Sequence, residues 1–275
     1  REGRDMTRTG SSLKRYIKER YEAGKGFFPV SAVFLAFCVG SFVYFLARGM
    51  PRDYIMSIAF VLYVPALLLV ERLLRVILPS VLAAVIYFMA AGCILGAGYD
   101  LFTIIPFFDA LLHCITGFVF ACIGFAVPKL FVGEPQSGRM LAVCLLFGFF
   151  FSLAIAVIWE LFEFAGTSLL GFDMQEDTVV NGFGSYLLSG THSELVQVDG
   201  ITKTIIYYGD GRTLTIDGYL DIGLIDTIGD MAVCALGTTV YLPVIGASAR
   251  GKNRLASALV PRVLGRKAPE SPEAA

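Results

Sequence analysis

Long apolar runs alternate with short polar segments over most of this chain. Six of the runs are close to the roughly 20 residues that an α-helix needs to cross the hydrocarbon core of a bilayer. Their approximate bounds are Phe27–Leu46, Tyr54–Val70, Val76–Ala97, Phe107–Val127, Met140–Glu163 and Ile225–Ile245. The pattern predicts an all-α polytopic membrane protein in which six transmembrane helices form a bundle.

The composition agrees with a membrane protein and argues against two other classes. Of the 275 residues, 56% are hydrophobic and 16% are charged, which is far too apolar for an ordinary soluble domain. The net charge of −1 comes without the basic stripe that a nucleic-acid partner needs. All six cysteines fall inside apolar runs and form no Cys-x-x-Cys pair. We therefore expect neither nucleic acid as a partner nor a disulfide framework.

Lysine and arginine predict the orientation of the six spans. With both termini in the cytoplasm, eighteen of these residues lie in inner segments and four in outer segments, a strong positive-inside asymmetry. The chain then divides into a basic cytoplasmic segment, five helices, an extracytoplasmic loop, the sixth helix and a basic cytoplasmic tail. These parts cover residues 1–26, 27–166, 167–220, 221–247 and 248–275. We also expect a short surface helix around Tyr16 and Tyr21, and disorder after Ala268.

The loop between the fifth and sixth spans is the long polar insertion of the sequence. Its middle contains three runs rich in β-branched residues, Leu195–Val198, Ile201–Tyr208 and Arg212–Ile216. The Asp199-Gly200 and Gly209-Asp210-Gly211 sequences between them are typical of hairpin turns. The sequence therefore predicts a small antiparallel meander, which is either a passive surface hairpin or a lid over the outer face.

Three pairs of ionisable residues interrupt the apolar runs at helical spacing: Asp109 with His113, Glu160 with Glu163, and Asp226 with Asp230. Residues three or four apart share one face of a helix, so each pair points two groups in one direction. At 1.5 Å of rise per residue, the pairs lie about 24 to 30 Å from the cytoplasmic Lys or Arg of their helices. Ionisable groups in such segments usually serve a function. We therefore expect one cluster at the outer boundary of the membrane.

Five carboxylates in one cluster repel one another and need a countercharge, and the sequence leaves protons, an inorganic cation or a cationic substrate as its source. A divalent metal ion suits one imidazole with several carboxylates best, and the sequence leaves Zn²⁺, Mn²⁺, Fe²⁺ and Mg²⁺ open. The expected metal ligands are Asp109, His113, Glu160 and Asp230.

Two further acids, Glu163 and Asp226, have more than one interpretation. Either would serve as another ligand or as the catalytic general base. Glu163 would otherwise be solvated at the interface near Trp159, and Asp226 would otherwise cap the sixth helix. Three polar residues after the fifth span would either orient the ligands or belong to an ordinary loop: Asp173, Gln175 and Asp177.

The ionisable residues belong to four short motifs. They are Asp109-x-x-x-His113-x-x-x-Gly117, Trp159-Glu160-x-x-Glu163, Gln175-x-Asp177 and Asp226-x-x-x-Asp230-Met231. Their joint order, between about Leu78 and Gly246, resembles the YjdF-like family of bacterial inner-membrane proteins and, more distantly, VanZ-like membrane proteins. The resemblance implies a location in the bacterial cytoplasmic membrane and an acidic motif set. It implies no particular reaction.

From the metal cluster we expect a metal-dependent hydrolase that acts on a lipid or lipid-linked substrate at the outer leaflet, with membrane lipids as partners. Two other classes stay open: a proton- or cation-coupled transporter that uses the same carboxylates, and a non-catalytic scaffold whose hairpin recruits a partner. The sequence contains no Gly-x-Ser-x-Gly, His-Glu-x-x-His or Walker motif, so covalent catalysis is not expected. The oligomeric state is not predicted.

Overall fold

The structure is a computed structural model that describes residues 16–22, 24–171, 174–249 and 258–263. Within these residues α-helices predominate and the strands are short. The helices are α1 (16–22), α2 (Phe27–Ala47), α3 (Pro51–Phe60), α4 (Tyr63–Leu74), α5 (Ser80–Cys93) with a π-helical turn (Ile94–Gly98), α6 (Leu101–Ile104), α7 (Phe108–Val132), α8 (Gly138–Leu170) and α9 (Leu224–Ser248).

Six helical segments of the described residues are long and apolar enough to cross a membrane. They are Phe27–Ala47, Pro51–Leu74, Ser80–Gly98, Phe108–Val132, Gly138–Leu169 and Leu224–Ser248. Each corresponds to one of the apolar runs in the sequence. The predicted six-helix transmembrane bundle is therefore confirmed.

The ends of two spans differ from the prediction for local reasons. The second span begins at Pro51, a residue that suits the first turn of a helix, and is interrupted at residues 61–62. The third span was predicted to begin at Val76, but its helix begins at Ser80. Pro79 precedes that helix with extended backbone, and a proline also disfavours helical backbone in the residue before it. Apolar content alone does not reveal such boundaries.

The chain forms two compact units. The first unit comprises residues 1–156 and 233–275, and the second unit comprises residues 157–232. The first unit contains α1 to α7, the beginning of α8 and the larger part of α9. The second unit contains the end of α8, the beginning of α9 and the polar insertion between these helices.

Helices α2 and α5 pack through aromatic side chains in the first unit. Phe34 stacks on Tyr87 with ring centroids 4.7 Å apart, and both side chains are buried. The Tyr87 and Ser31 hydroxyl oxygens are 3.0 Å apart and form a hydrogen bond. Because its hydroxyl has a partner, Tyr87 fills this apolar region without the cost of an unsatisfied polar group.

Two glycines let α7 and α9 approach closely. A Cβ atom added to Gly117 would collide with the Cys234 carbonyl oxygen, and one added to Gly237 would collide with the Cys114 carbonyl oxygen. Small residues at helix crossings are the usual means of close packing in membranes, where lipid tails are as apolar as the side chains. The two glycines therefore hold the backbones of α7 and α9 together.

Hydroxyl groups join α8 to the same crossing. Ser152 Oγ donates to the Gly117 carbonyl oxygen at 2.7 Å. Thr238 Oγ1 lies 3.0 Å from Ser152 Oγ and 2.9 Å from the Cys234 carbonyl oxygen. Both hydroxyl side chains are buried, and each such interhelical bond contributes about 0.6 to 2 kcal/mol in a membrane. Helices α7, α8 and α9 are thus held at one crossing.

The Gly237→Ala substitution is expected to lower the free energy of unfolding by about 1–3 kcal/mol, because the added methyl group overpacks the crossing. Gly40→Ala on α2 is the matched control, since the space around Gly40 is open. This control is expected to be neutral or to stabilise by up to about 1 kcal/mol through helix propensity. SDS titration in mixed micelles measures the free energy of unfolding of both variants. Equal unfolding curves for the two variants would contradict the close contact of α7 and α9 at Gly237.

A buried acid near the end of α4, Glu71, connects three segments of the first unit. Its carboxylate lies 3.2 Å from the Arg20 guanidinium, and both side chains are almost completely buried. Tyr16 Oη and the Leu78 backbone N–H each donate to a different Glu71 oxygen at 2.7 Å. The Arg20 guanidinium also lies 3.7 Å from the centroid of the Phe27 ring. This network fixes α1 and the segment before α5 to α4.

The observed helix α1 is partly buried, whereas the sequence predicts a surface helix around Tyr16 and Tyr21. Tyr16 and Arg20 are buried, whereas Ile17 and Tyr21 are exposed. Burial, and then the hydrogen bond to Glu71, raise the pKa of Tyr16 and keep its hydroxyl a donor. Burial lowers the pKa of Arg20 and the Glu71 carboxylate raises it again. One face of α1 is thus part of the protein interior.

The end of the predicted cytoplasmic tail contributes to the first unit. Arg262–Val263 (β8) pairs antiparallel with Val76–Ile77 (β1), which precedes α5. Leu259 is buried in a cluster with Phe125 and Tyr241. Residues 258–263 are therefore packed against the helices. The expected disorder after Ala268 concerns residues outside the described part of the chain.

The described residues of the second unit form six short strands. They are β2 (Val179–Val180), β3 (Phe183–Ser185), β4 (Val196–Val198), β5 (Thr204–Tyr208), β6 (Arg212–Ile216) and β7 (Tyr219–Leu220). They pair antiparallel as β2 with β7, β3 with β4 and β5 with β6. The predicted hairpin at Gly209-Asp210-Gly211 is confirmed by the β5–β6 pair. The continuous meander is wrong, because β4 pairs with the earlier strand β3 and not across Asp199-Gly200.

Candidate metal centre

Three buried carboxylates meet in the second unit. Glu160 and Glu163 come from α8 and Asp230 comes from α9. One oxygen from each of the three lies within 4.8 Å of the others. The three residues are only 5–8% exposed. Two of the predicted metal ligands and one of the predicted catalytic acids are therefore neighbours.

The local sequence explains why the two glutamates share one direction. The positions three apart on α8 lie on one face of the helix. Their neighbours Leu161, Phe162 and Phe164 are exposed and form the apolar face of the same helix. The acids are therefore held inside while the apolar side chains face the surroundings, which in a membrane are lipid.

Trp159 positions Glu163. The Trp159 Nε1–H donates to Glu163 Oε1 at 2.7 Å. A hydrogen bond from this indole fixes the orientation of the carboxylate. In the sequence Trp159 marks only the membrane interface, although its spacing of four residues from Glu163 on a helix contains the signal for this contact.

The three carboxylates cannot all be ionised without a countercharge. At an effective dielectric constant of 20, two unit charges 4.8 Å apart repel by about 3.5 kcal/mol, so three pairs repel by about 10 kcal/mol. The second unit contains twelve Asp and Glu against two Lys and Arg, a formal net charge of −10. Its two cations, Lys203 and Arg212, are both exposed. The arrangement therefore favours a bound cation or shared protons.

The donor set fits a divalent cation. Hard cations such as Mg²⁺, Mn²⁺ and Ca²⁺ take carboxylate oxygens at about 2.0 to 2.6 Å. Oxygens at opposite corners around such an ion are about 4 to 5 Å apart at these bond lengths, which matches the spread of the group. Glu160, Glu163 and Asp230 would be the residues that hold it.

Asp226 is hydrogen-bonded to the loop after α8. Its Oδ2 accepts the Glu176 backbone N–H at 2.9 Å. Gln175 Nε2 donates to Thr227 Oγ1 at 2.6 Å, one residue further along α9. Asp221 accepts the Ile225 backbone N–H at 2.8 Å in the first turn of α9. Asp221 therefore caps the helix, and Asp226 and Gln175 fasten the loop to it.

The structure describes one of the two other predicted loop residues. Asp177 is exposed, and Asp173 lies outside the described residues. Gln175 is thus the residue of the predicted trio with an observed contact to α9. This contact supports an orienting role for the loop, since α9 also carries Asp230.

Asp109 and His113 form a pair at the beginning of α7, in the first unit. His113 Nε2 lies 3.7 Å from Asp109 Oδ2, and the side chains are 12% and 30% exposed. The predicted spacing of four residues therefore brings the two groups together on one face of the helix. Asp109 also lies in the first turn of α7, where the helix dipole stabilises a negative charge.

A comparison with protein families gives one match. The family model described as a predicted membrane protein, DUF2238, matches residues 29–250 of the 275. The matched region contains the three carboxylates and the Asp109–His113 pair. No curated protein and no solved structure matches the chain. The finer resemblance to YjdF-like and VanZ-like proteins stays a prediction. The chain therefore belongs to the DUF2238 family of predicted membrane proteins.

Proposed function

We propose that this protein binds a divalent cation through Glu160, Glu163 and Asp230 and uses it to hydrolyse a lipid or lipid-linked substrate in the bacterial cytoplasmic membrane. The observation that carries the proposal is the group of three buried carboxylates within 4.8 Å. A cation removes the repulsion of about 10 kcal/mol that three ionised groups would otherwise suffer.

The chemistry of the three carboxylates suits hydrolysis. A bound divalent ion would polarise the substrate and lower the pKa of a water molecule. Glu163 is also the candidate for the general base, because a carboxylate can bind the ion through one oxygen and receive a proton on the other, and the Trp159 indole fixes its orientation. Glu163 would take a proton from the water that adds to the phosphorus or carbonyl carbon of an ester, and would give it to the alcohol oxygen as the bond from that phosphorus or carbon to this oxygen breaks.

The surroundings of the carboxylates support a lipid substrate. Leu161, Phe162 and Phe164 on α8 and Ile225 and Ile228 on α9 are all exposed. Apolar side chains exposed on membrane-spanning helices contact lipid. A substrate with an acyl or polyprenyl chain would therefore reach the acids from the side of the bilayer, with its polar group toward them.

Asp109 and His113 stay predicted ligands on the basis of their depth and spacing in the sequence. With imidazole among the ligands, Zn²⁺ and Fe²⁺ would join Mn²⁺ and Mg²⁺ as suitable ions. The number of metal ions bound to Asp109→Asn tests this prediction. The same number and affinity as in the wild type would exclude Asp109 as a ligand.

Hydrolysis can be measured with the protein reconstituted in vesicles of total bacterial polar lipids. We expect water-soluble products, detected by mass spectrometry, to appear with Mn²⁺ and not with EDTA. Glu163→Gln is expected to release at least 100-fold less product, because a proton acceptor is lost. The matched control is Glu194→Gln, which neutralises an exposed acid of the same unit and is expected to keep the wild-type rate.

Two results would contradict the proposed hydrolase activity. One is the absence of products with metal-loaded protein, and the other is equal product from Glu163→Gln. A dye trapped inside the vesicles reports Mn²⁺ entry in the same samples. Entry that is lost in Asp230→Asn, without products, would identify the transporter alternative.

A further inference from the structure

The β5–β6 hairpin carries apolar side chains on both of its faces. Cross-strand partners place Ile206 opposite Leu214 and Tyr208 opposite Arg212 on one face. Ile205 and Tyr207 lie on the other face, opposite Thr215 and Thr213. Successive residues of a strand point to opposite sides, so neither face is polar throughout.

These side chains are exposed on both faces. Tyr207 is 78% exposed, and Ile205, Ile206, Tyr208 and Leu214 are each 40–51% exposed. An antiparallel hairpin at a protein–water boundary normally has one covered apolar face and one polar face. This hairpin has two apolar faces, and in the described part of the chain neither is buried. Apolar surroundings on both sides would cover these side chains.

The cations of the second unit lie on the same hairpin. Arg212 is in β6, where its guanidinium lies 4.9 Å from the centroid of the Tyr208 ring, and Lys203 immediately precedes β5. They are the two Lys and Arg residues of a unit whose net charge is −10. Tyrosine and arginine have apolar bodies and polar ends, and both favour the boundary between acyl chains and headgroups.

The base of the hairpin is close in sequence to the membrane-spanning helix α9. Thr204 Oγ1 donates to the Gly218 carbonyl oxygen at 2.6 Å, next to the β2–β7 pair. Strand β7 ends at Leu220, four residues before α9 begins at Leu224, which is at most about 14 Å of extended chain. The hairpin strands of five residues are about 17 Å long. The hairpin can therefore reach the headgroup region.

We infer that the β5–β6 hairpin is a membrane anchor that inserts into the headgroup and upper acyl region of the leaflet next to it. A partner protein or a second copy would cover one face, whereas lipid surrounds both faces at once. Lys203 and Arg212 bind headgroup phosphates, and Ile205, Ile206 and Leu214 enter the acyl region. This role is independent of metal binding.

The test is tryptophan fluorescence of the full chain in vesicles of phosphatidylethanolamine and phosphatidylglycerol. A Trp159→Phe background removes the single native tryptophan. Reporters are Tyr207→Trp on one face and Leu214→Trp on the other, and the control is Thr191→Trp in an exposed part of the same unit. We expect lipids brominated at acyl carbons 6 and 7 to reduce the emission of both reporters at least twofold. We expect iodide in the buffer to quench the control at least twice as strongly as the reporters.

Three outcomes would overturn the inference. Reporters that respond to iodide like the control, without bromine quenching, would place the hairpin in water. Bromine quenching of one reporter alone would indicate that the other face of the hairpin contacts protein. Protection from iodide that disappears when the protein is diluted in lipid would identify a contact between copies.

Discussion

Replacing Glu160 with glutamine and Asp230 with asparagine is expected to abolish the stabilisation of the protein by metal. In EDTA, the double variant is expected to unfold at a higher SDS fraction than the wild type, because the repulsion among three buried carboxylates is relieved. With Mn²⁺ at 100 times its dissociation constant, the wild type gains about 2.7 kcal/mol and the variant gains nothing. Addition of Mn²⁺ therefore changes the stability difference between the two proteins by about 2.7 kcal/mol in favour of the wild type.

This difference in the response to Mn²⁺ distinguishes a metal centre from a group of buried acids that merely share protons. Glu194→Gln removes one exposed charge from the same unit and is expected to follow the wild type under both conditions. If the carboxylates only share protons, the double variant and the wild type would respond equally to Mn²⁺. Such an equal response would contradict a cation between Glu160 and Asp230.

Replacing Glu71 with leucine is expected to destabilise the protein by about 3–5 kcal/mol. The Arg20 guanidinium is buried 3.2 Å from the Glu71 carboxylate, and the variant leaves this charge without its counterion. Arg20→Met combined with Glu71→Leu removes both charges and is expected to recover much of the loss. SDS titration of the three proteins measures the differences in the free energy of unfolding.

The matched control for this ion pair lies on the same helix. Lys18 and Glu22 on α1 are 3.8 Å apart but mostly exposed. Lys18→Met is therefore expected to change the free energy of unfolding by less than about 1 kcal/mol. A loss of the same size in Lys18→Met and Glu71→Leu would show that burial of the pair has no effect.

The helical part of the fold follows from the sequence because each span is long enough to be read from its own apolar residues. The strands of the second unit do not follow in the same way. β4 is next to a plausible Asp199-Gly200 turn, but it pairs with β3, where Val198 lies opposite Phe183. Strand partners depend on contacts that are distant in sequence, and a two-residue turn signal does not outweigh them.

The Glu71 network shows a different limit of prediction from sequence. Glu71 directly follows the second apolar run, and it lacks a second acid at helical spacing to mark it as a site. Its partner Arg20 is 51 residues earlier, in a segment rich in exposed charges. Composition cannot identify which of those charges is buried. A lone acid at the end of a span is nevertheless a signal for a buried partner.

The candidate site could be predicted in part. Helical spacing correctly placed Glu160 and Glu163 on one face, because the geometry of a helix does not depend on its partners. The position of Asp226 depended on the backbone of another segment, the Glu176 N–H. The role of Trp159 required the direction of its indole N–H. Residue spacing therefore predicts which side chains share a helix face. It predicts neither the backbone partner of Asp226 nor the direction of the Trp159 indole N–H.

The central claim is that Glu160, Glu163 and Asp230 share one divalent cation. Anomalous diffraction at the manganese edge, from crystals grown with Mn²⁺, tests it most directly. We predict an anomalous peak about 2.0 to 2.6 Å from an oxygen of each of the three carboxylates, absent from the Glu160→Gln, Asp230→Asn double variant. Fully occupied Mn²⁺ sites elsewhere, with no peak among these three side chains, would contradict the account.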